Sequence, residues 1–216
     1  MLARKTALSS KQLLETNAPA WRSAQPELIG LTATPLDPQT SHVVQSWKDR
    51  ARPAIKEVSA RALHNGSEVA VRLEWQDSRA DTEVSDNTEF PDGAALLFPV
   101  LEEANLYTMG DEKAPVNAWY WKANRPGIAS SNVAHGVGTT QVVDEDSIAV
   151  AAEHSGGRWS VVFCRALEVP EQAGAAVQLS LGAERDIGVA IWEGSQGERG
   201  GIKAFSPVWS KLKVVL

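Results

Sequence analysis

An all-β fold, an antiparallel β-sandwich, is what this sequence predicts, and three observations carry that expectation. From Ile55 onward, apolar residues recur at alternate positions over two successive runs. An Asn65-Gly66 pair sits between those runs. Further short apolar runs then follow to the end, separated almost throughout by Gly, Pro, Asn or Asp. Alternation puts every second side chain on one face of a strand. Asn-Gly is the preferred two-residue hairpin turn, and many short strands divided by turn residues point to a sandwich or barrel.

Taken in order, residues 1–53 are expected as a mostly irregular N-terminal arm and lead-in, punctuated by Pro19, Pro26, Pro35, Pro38 and Pro53. A short helix is expected over Ser9–Thr16, with Ser9 or Ser10 as its N-cap. Residues 54–216 are expected to form the sandwich domain. Ile55, Val58 and Ala60 lead to Leu63, and His64-Asn65-Gly66-Ser67 supplies the turn. Val69, Val71, Leu73 and Trp75 then share one face, with Ala70, Arg72 and Glu74 on the other. A polar loop from Gln76 to about Asp92 carries Asp77, Asp81, Glu83, Asp86, Glu89 and Asp92. Further strands are expected over Ala94–Val100, Val116–Ala123, Ser147–His154, Arg158–Leu167, Ala176–Leu181, Ile187–Trp192 and Trp209–Val215.

Composition excludes several kinds of function. The 216 residues fit one domain. A net charge of −6 argues against nucleic acid or an anionic membrane as partner, since both need a basic face. No apolar run approaches the ~20 residues of a membrane-spanning helix. Cys164 is the single cysteine, so there is no internal disulfide, thiolate metal cluster or C-x-x-C-H haem attachment. It lies within an apolar strand, where a thiol is buried and inert. No secretory signal is visible at the start, so the expectation is either a cytoplasmic protein or a mature form. Eight Trp against four Phe and two Tyr is unusual, because indole rings suit pocket walls and interfaces.

Few residues offer distinctive chemistry. Met109 is the only methionine after the first residue, and it lies beside Tyr107 and ahead of Trp119-Tyr120-Trp121-Lys122. A thioether near large aromatics is either core packing or a soft iron ligand. The acidic loop lacks the EF-hand spacing and reads as a solvated hairpin loop. His42, His64, His135 and His154 are scattered singly, without zinc-site pairing, although His135 lies in a glycine-rich loop. A second glycine-rich segment, Gly194 to Gly201, precedes Lys203, whose amine becomes a metal donor if an apolar pocket lowers its pKa.

These segments resemble the haem b-binding γ subunit of type II enzymes of the dimethyl sulfoxide reductase family. That group includes ethylbenzene and dimethyl sulfide dehydrogenases and selenate and chlorate reductases. The likeness runs from about residue 53 to 216. It is carried by Leu73-Glu74-Trp75-x-Asp77, by Phe90-x-Asp92-Gly93-Ala94 leading to Phe98-Pro99, and by Met109-Gly110. Pro115-Val116-x-x-Trp119-Tyr120-Trp121-Lys122-Ala123 and Gly197-Glu198-Arg199-Gly200-Gly201-x-Lys203 complete it, in the family's order.

The resemblance implies a sandwich enclosing one non-covalent haem b held by a Met and a Lys, here Met109 and Lys203, with Lys211 and Lys213 as alternatives for the Lys. Trp119, Trp121 and Tyr107 become candidates for the pocket wall, with core packing an equal explanation for each. The implied subunit is non-catalytic and passes electrons between an iron–sulfur β subunit and a soluble c-type cytochrome. A molybdopterin-containing catalytic α subunit completes the implied complex, and the implied location is the periplasm. Two rivals remain. One is a β-sandwich module that binds carbohydrate or another small ligand without haem. The other is Met–His ligation through His135 or His154, as in the haem domain of cellobiose dehydrogenase.

Overall fold

The structure is a computed structural model that describes every residue except 102. Among the described residues there are three short α-helices, α1 (Ser10–Leu13), α2 (Ala20–Ser23) and α3 (Ser41–Trp47), and two single 3-10 turns, Pro170–Gln172 and Gly194–Gln196. The first strands are β1 (Leu2–Lys5), β2 (Glu27–Gly30), β3 (Thr32–Ala33), β4 (Glu57–His64) and β5 (Glu68–Gln76). The middle of the chain forms β6 (Gly93–Pro99), β7 (Val116–Lys122), β8 (Ala129–Ala134) and β9 (Gln141–Asp144). The remainder are β10 (Ile148–His154), β11 (Arg158–Ala166), β12 (Glu184–Trp192), β13 (Ala204–Phe205) and β14 (Ser210–Val214).

The main path of strands runs β10-β11-β5-β4-β1-β14-β12-β6-β7-β8-β9. It folds into two layers at β12. Glu184–Ile187 of that strand pair with β14, and Gly188–Trp192 pair with β6. The interior between the layers is apolar and sealed. Val71, Leu73, Val161 and Phe163 from one layer meet Leu96, Phe98, Trp119 and Trp121 from the other. Trp121 and Trp159 pack edge to face across it, with centroids 5.2 Å apart. The alternation anticipated in β5 therefore appears as built: Val69, Val71, Leu73 and Trp75 all face this core. At the β4–β5 turn, Asn65 Oδ1 accepts from the backbone N–H of Ser67 and of Glu68.

The outer face of β5 and β11 carries a second, smaller cluster. Ala70, Val162 and Cys164 are roofed there by Leu13 and Trp21 from α1 and α2. The helix expected over Ser9–Thr16 is one turn long. It is fixed by a reciprocal capping box between Ser9 and Gln12. Burial pushes the Cys164 thiol up to about 12, so it is an inert packing group.

Four expectations need correction. The sandwich is not wholly antiparallel, because β1 runs parallel to both β4 and β14. Parallel neighbours need a long crossover, and residues 6–56 provide one through α1, α2 and α3. The lead-in over 1–53 is consequently stitched into the sheets at β1, at β2 beside β4 and at β3 beside β13. Ala176–Leu181 is not a strand; Ala176, Val177 and Leu179 are buried, whereas Ser180 and Leu181 are exposed. Its backbone is held partly by side chains: Asn117 Oδ1 accepts from Val177 N (3.2 Å), Arg165 donates to Val177 O (2.6 Å), and Leu179 N donates to Leu167 O (2.8 Å). Finally, β8 (Ala-Ser-Ser-Asn-Val-Ala) and β9 were not anticipated. In β8 a polar sequence lies buried, and Asn117 Nδ2 donates to Ser131 Oγ and to Asn132 O.

Because Trp121 is 1% exposed and faces the interior, Trp121→Ala is expected to lower unfolding free energy by about 3–5 kcal/mol. Urea unfolding of variant and parent checks this; a loss within about 0.5 kcal/mol, typical of a surface site, contradicts the interior placement.

Candidate functional site

The outer face of β6, β7 and β12 forms a trough whose floor follows from strand register. Gly188, Leu97, Ala118 and Asn132 stand opposite one another across β12, β6, β7 and β8. Ala190, Ala95 and Tyr120 form the neighbouring row. Small side chains at most of these positions leave space above the sheet. Loops cover that space, giving a cavity of about 390 Å³, within the range of cofactor and small-ligand sites. The covering segments bring Leu106, Tyr107 and Met109 from one side and Val137, Gly138 and Thr140 from another. Gly200, Gly201, Lys203 and Phe205 close a third side, with Thr34 and Gln39 beside them.

Met109 reaches the cavity from a strained turn. Its φ is +59°, a left-handed conformation that costs a non-glycine residue about 1–2 kcal/mol. The turn is held from several directions. Asn105 Oδ1 accepts from Tyr107 N (2.9 Å), Gly110 N donates to Asn105 O (2.8 Å), and Gly136 N donates to Met109 O (3.2 Å). Gly110 is required next to it, because its φ is +78° and a Cβ there would collide with the Ala114 carbonyl. Strain of this kind concentrates at functional positions.

Lys203 lies just before β13. Thr34 grips its backbone: Thr34 N donates to Lys203 O (3.1 Å), and so does Thr34 Oγ1 (2.9 Å). The amine lies 5.6 Å from the Trp192 ring centroid. Among the described residues it has no ion-pair partner. Burial lowers its pKa to about 8, although the residue keeps contact with the cavity space. The preceding Glu-Arg-Gly-Gly run has a physical role at each end. Glu198 is buried and accepts from Ala54 N (3.2 Å) and Glu193 N (3.1 Å), which closes the loop. Gly200 O accepts from Trp192 Nε1 (3.1 Å), and a Cβ on Gly201 would come within 2.7 Å of Gln39 Oε1.

The aromatic wall differs from the expected one. Trp119 and Trp121 project to the opposite face of β7 and belong to the interior, whereas Tyr120 between them faces the cavity. Strand alternation permits only one of these two sets on a given face. Tyr107 does line the cavity, half exposed, and makes a T-shaped contact with Phe205 at 5.3 Å. Trp192 and Phe205 complete the wall, and Trp192 packs against Tyr120 at 5.0 Å. The sequence did signal Trp192, as the last residue of a strand that runs into the glycine-rich loop.

The cavity also separates the alternatives for the second donor. Lys211 and Lys213 lie on β14 away from the cavity, Lys211 paired with Asp186 at 2.7 Å. His135 and His154 are absent from the lining, and His154 Nε2 lies 2.8 Å from the Asp77 carbonyl oxygen. The space is therefore lined by one thioether, Met109, and by two lysines within mainly apolar walls; Lys122 is exposed and lies over the Tyr120 ring, whereas burial lowers the pKa of Lys203. That chemistry fits a haem iron.

The chain matches the family model described as ethylbenzene dehydrogenase over residues 18–145 and 137–204. It is 36% identical to chlorate reductase subunit gamma of Ideonella dechloratans over 74% of this chain and 66% of that protein. It is 27% identical, over 94% of this chain and 69% of the relative, to a Haloferax mediterranei protein provisionally named a respiratory nitrate reductase heme subunit. The chain thus spans about two thirds of the length of each. A carbohydrate-binding module of family 9 from Caldicellulosiruptor kristjanssonii, solved with glucose, shares the fold at a TM-score of 0.57. Its identity is 9% over 100% of this chain and 95% of that one, so the likeness shows the fold alone.

Gly110→Ala is expected to destabilise the protein by more than about 1 kcal/mol, because the added methyl meets backbone at a positive φ. Denaturant unfolding checks it; an unchanged or raised midpoint contradicts the close-packed turn that places Met109.

Proposed function

The chain belongs to the ethylbenzene dehydrogenase family, and we propose that it is the haem b-carrying, electron-transfer γ subunit of a molybdenum oxidoreductase complex. The observation that carries this reading is the convergence of Met109 and Lys203, distant in sequence, on one largely apolar cavity. Similarity to a gamma subunit and to a heme subunit supports the same role, non-catalytic within a larger enzyme.

A haem b bound there supplies a one-electron redox centre. Met109 offers the soft donor that favours the ferrous state and raises the potential; Lys203 offers the harder amine. Held by both residues, such a group would serve electron transfer and not substrate chemistry. Leu97, Leu106, Trp192 and Phe205 provide the apolar contacts that exclude water. Cys164 is buried on another face of the fold, so attachment is non-covalent. In this reading, electrons pass between an iron–sulfur subunit and a soluble c-type cytochrome in the periplasm. A molybdopterin-containing subunit performs the catalysis.

Purified protein loaded with haem is expected to give sharp α and β bands when reduced; colourless protein after haem supplementation overturns the reading and favours a haem-free ligand-binding module. Lys203→Ala is expected to weaken haem binding about tenfold or more, equivalent to 1.4 kcal/mol, or to convert the spectrum. His135→Ala should leave it intact, and the reverse result refutes Lys203.

The pH dependence has a defined sign. The amine must lose its proton to bind metal, so haem uptake by the apoprotein should strengthen as pH rises towards and past about 8. Haem titrations between pH 6.5 and 9 test this, and a flat profile argues against an amine ligand. Met109→Ala should lower the reduction potential or lose haem, and an unchanged spectrum and potential contradict its assignment.

A further inference from the structure

Among residues that do not line the cavity, three carboxylates are buried together. Asp77 follows the end of β5, Asp92 immediately precedes β6, and Glu193 immediately follows β12. One carboxylate oxygen from each lies within 4.8 Å of the others. The residues are 6%, 0% and 6% exposed. The acidic loop is therefore not solvated throughout. Glu83, Asp86 and Glu89 are exposed, and Asp86 and Glu89 are satisfied locally by Thr88 and Ser85. Asp77 and Asp92 instead turn inward.

The hydrogen bonds leave this cluster unbalanced. Asp92 is fully engaged: Oδ2 accepts from Asp81 N (2.8 Å) and Trp159 Nε1 (3.0 Å), and Oδ1 accepts from Gly194 N (2.8 Å). Glu193 accepts from Ser195 Oγ (2.7 Å) and Gln196 N (2.7 Å). Asp77 Oδ1 accepts from Arg79 N (3.1 Å), but Asp77 Oδ2 is buried with no partner. Asp81 Oδ2, in the same loop, is also buried and unpartnered. The Arg79 side chain pairs with Asp81. His154 faces the Asp77 backbone carbonyl. Buried carboxylates are costly unless a charge or donor compensates them. Burial, with the nearby charges of Asp92 and Glu193, pushes the Asp77 carboxyl up to about 6.

We propose that Asp77, Asp92 and Glu193 hold a single calcium ion that the unpartnered Asp77 oxygen faces. The donors are all hard oxygens, drawn from the two ends of loop 77–92 and from the start of the loop after β12, without imidazole or thiolate, which suits calcium rather than zinc or copper. Three carboxylates in adaptable loops also fit calcium's flexible coordination better than the strict octahedron of magnesium. Bound there, the ion clasps the root of loop 77–92 to the root of the loop that leads from Glu193 to Lys203. The proposal does not depend on the haem reading.

The test uses the full chain, treated with chelator and exchanged into metal-free buffer. Calorimetric titration with calcium chloride is expected to show one ion bound per chain, and the melting temperature should rise with calcium relative to chelator. Magnesium should bind at least tenfold more weakly. Asp77→Asn, nearly isosteric, should fold but bind calcium at least tenfold more weakly. If that variant does not fold, Glu193→Gln serves in its place, and the wild-type titration decides alone if neither folds. No calcium uptake by the wild type at millimolar calcium, equal affinity for magnesium, or unchanged calcium affinity in a folded variant would each overturn the assignment.

Discussion

The hydrogen bonding of β12 to two different sheets is the constraint on which the rest of the molecule depends. Its first half extends the layer that contains β4, β5 and β11, and its second half extends the layer that contains β6, β7 and β8. One continuous strand thus fixes how the two layers face each other and seals the interior around Trp119, Trp121 and Phe163. The same strand delivers Ala190 and Trp192 to the opposite face, where the cavity lies. Immediately beyond it, Glu193 and Glu198 fold the glycine-rich loop back to Lys203. Fold and site are consequences of one backbone path.

Opposite demands meet in that second layer. Its inner face needs bulk, and tryptophans, phenylalanine and leucine supply it at nearly zero exposure. Its outer face needs space, and Ala95, Ala118, Ala190 and Gly188 supply that by being small. The two donors are held at a cost, one by a left-handed methionine and the other by an amine withdrawn from water. Neither arrangement stabilises the empty chain. In the proposed reading both become favourable when a haem iron takes the thioether and the amine, which is the usual relation between stability and function at a site.

Much of the architecture was legible in the residues because it rests on local rules. The Asn65-Gly66 turn, the two faces of β5 and the cap at Ser9 follow from hairpin chemistry, period-two alternation and helix capping. Met109 and Lys203 were paired only through resemblance, and both line the one cavity. What was hidden depends on tertiary context. Alternation says that Trp119 and Trp121 share a face, but not that this face is the interior. Polar β8 gives no apolar signal, because Ser130, Ser131 and Asn132 are buried, with Asn117 donating to the Ser131 hydroxyl and the Asn132 carbonyl. Ala176–Leu181 looks like a strand because Ala176, Val177 and Leu179 are buried without sheet pairing. The buried members of the acidic loop likewise carry no local mark that separates them from their exposed neighbours.

The central claim, that Met109 is bound to iron inside this cavity, can be observed without disturbing the protein. Only Met1 and Met109 are present, so labelling methionine methyl carbons with ¹³C gives two resonances to follow in the reduced, haem-loaded chain. A methyl held against the haem face lies deep in the ring-current field. One of the two signals should therefore move far upfield of the ordinary methyl region, and it should vanish in Met109→Ala. Two resonances at ordinary positions in a protein that has bound haem would contradict the assignment.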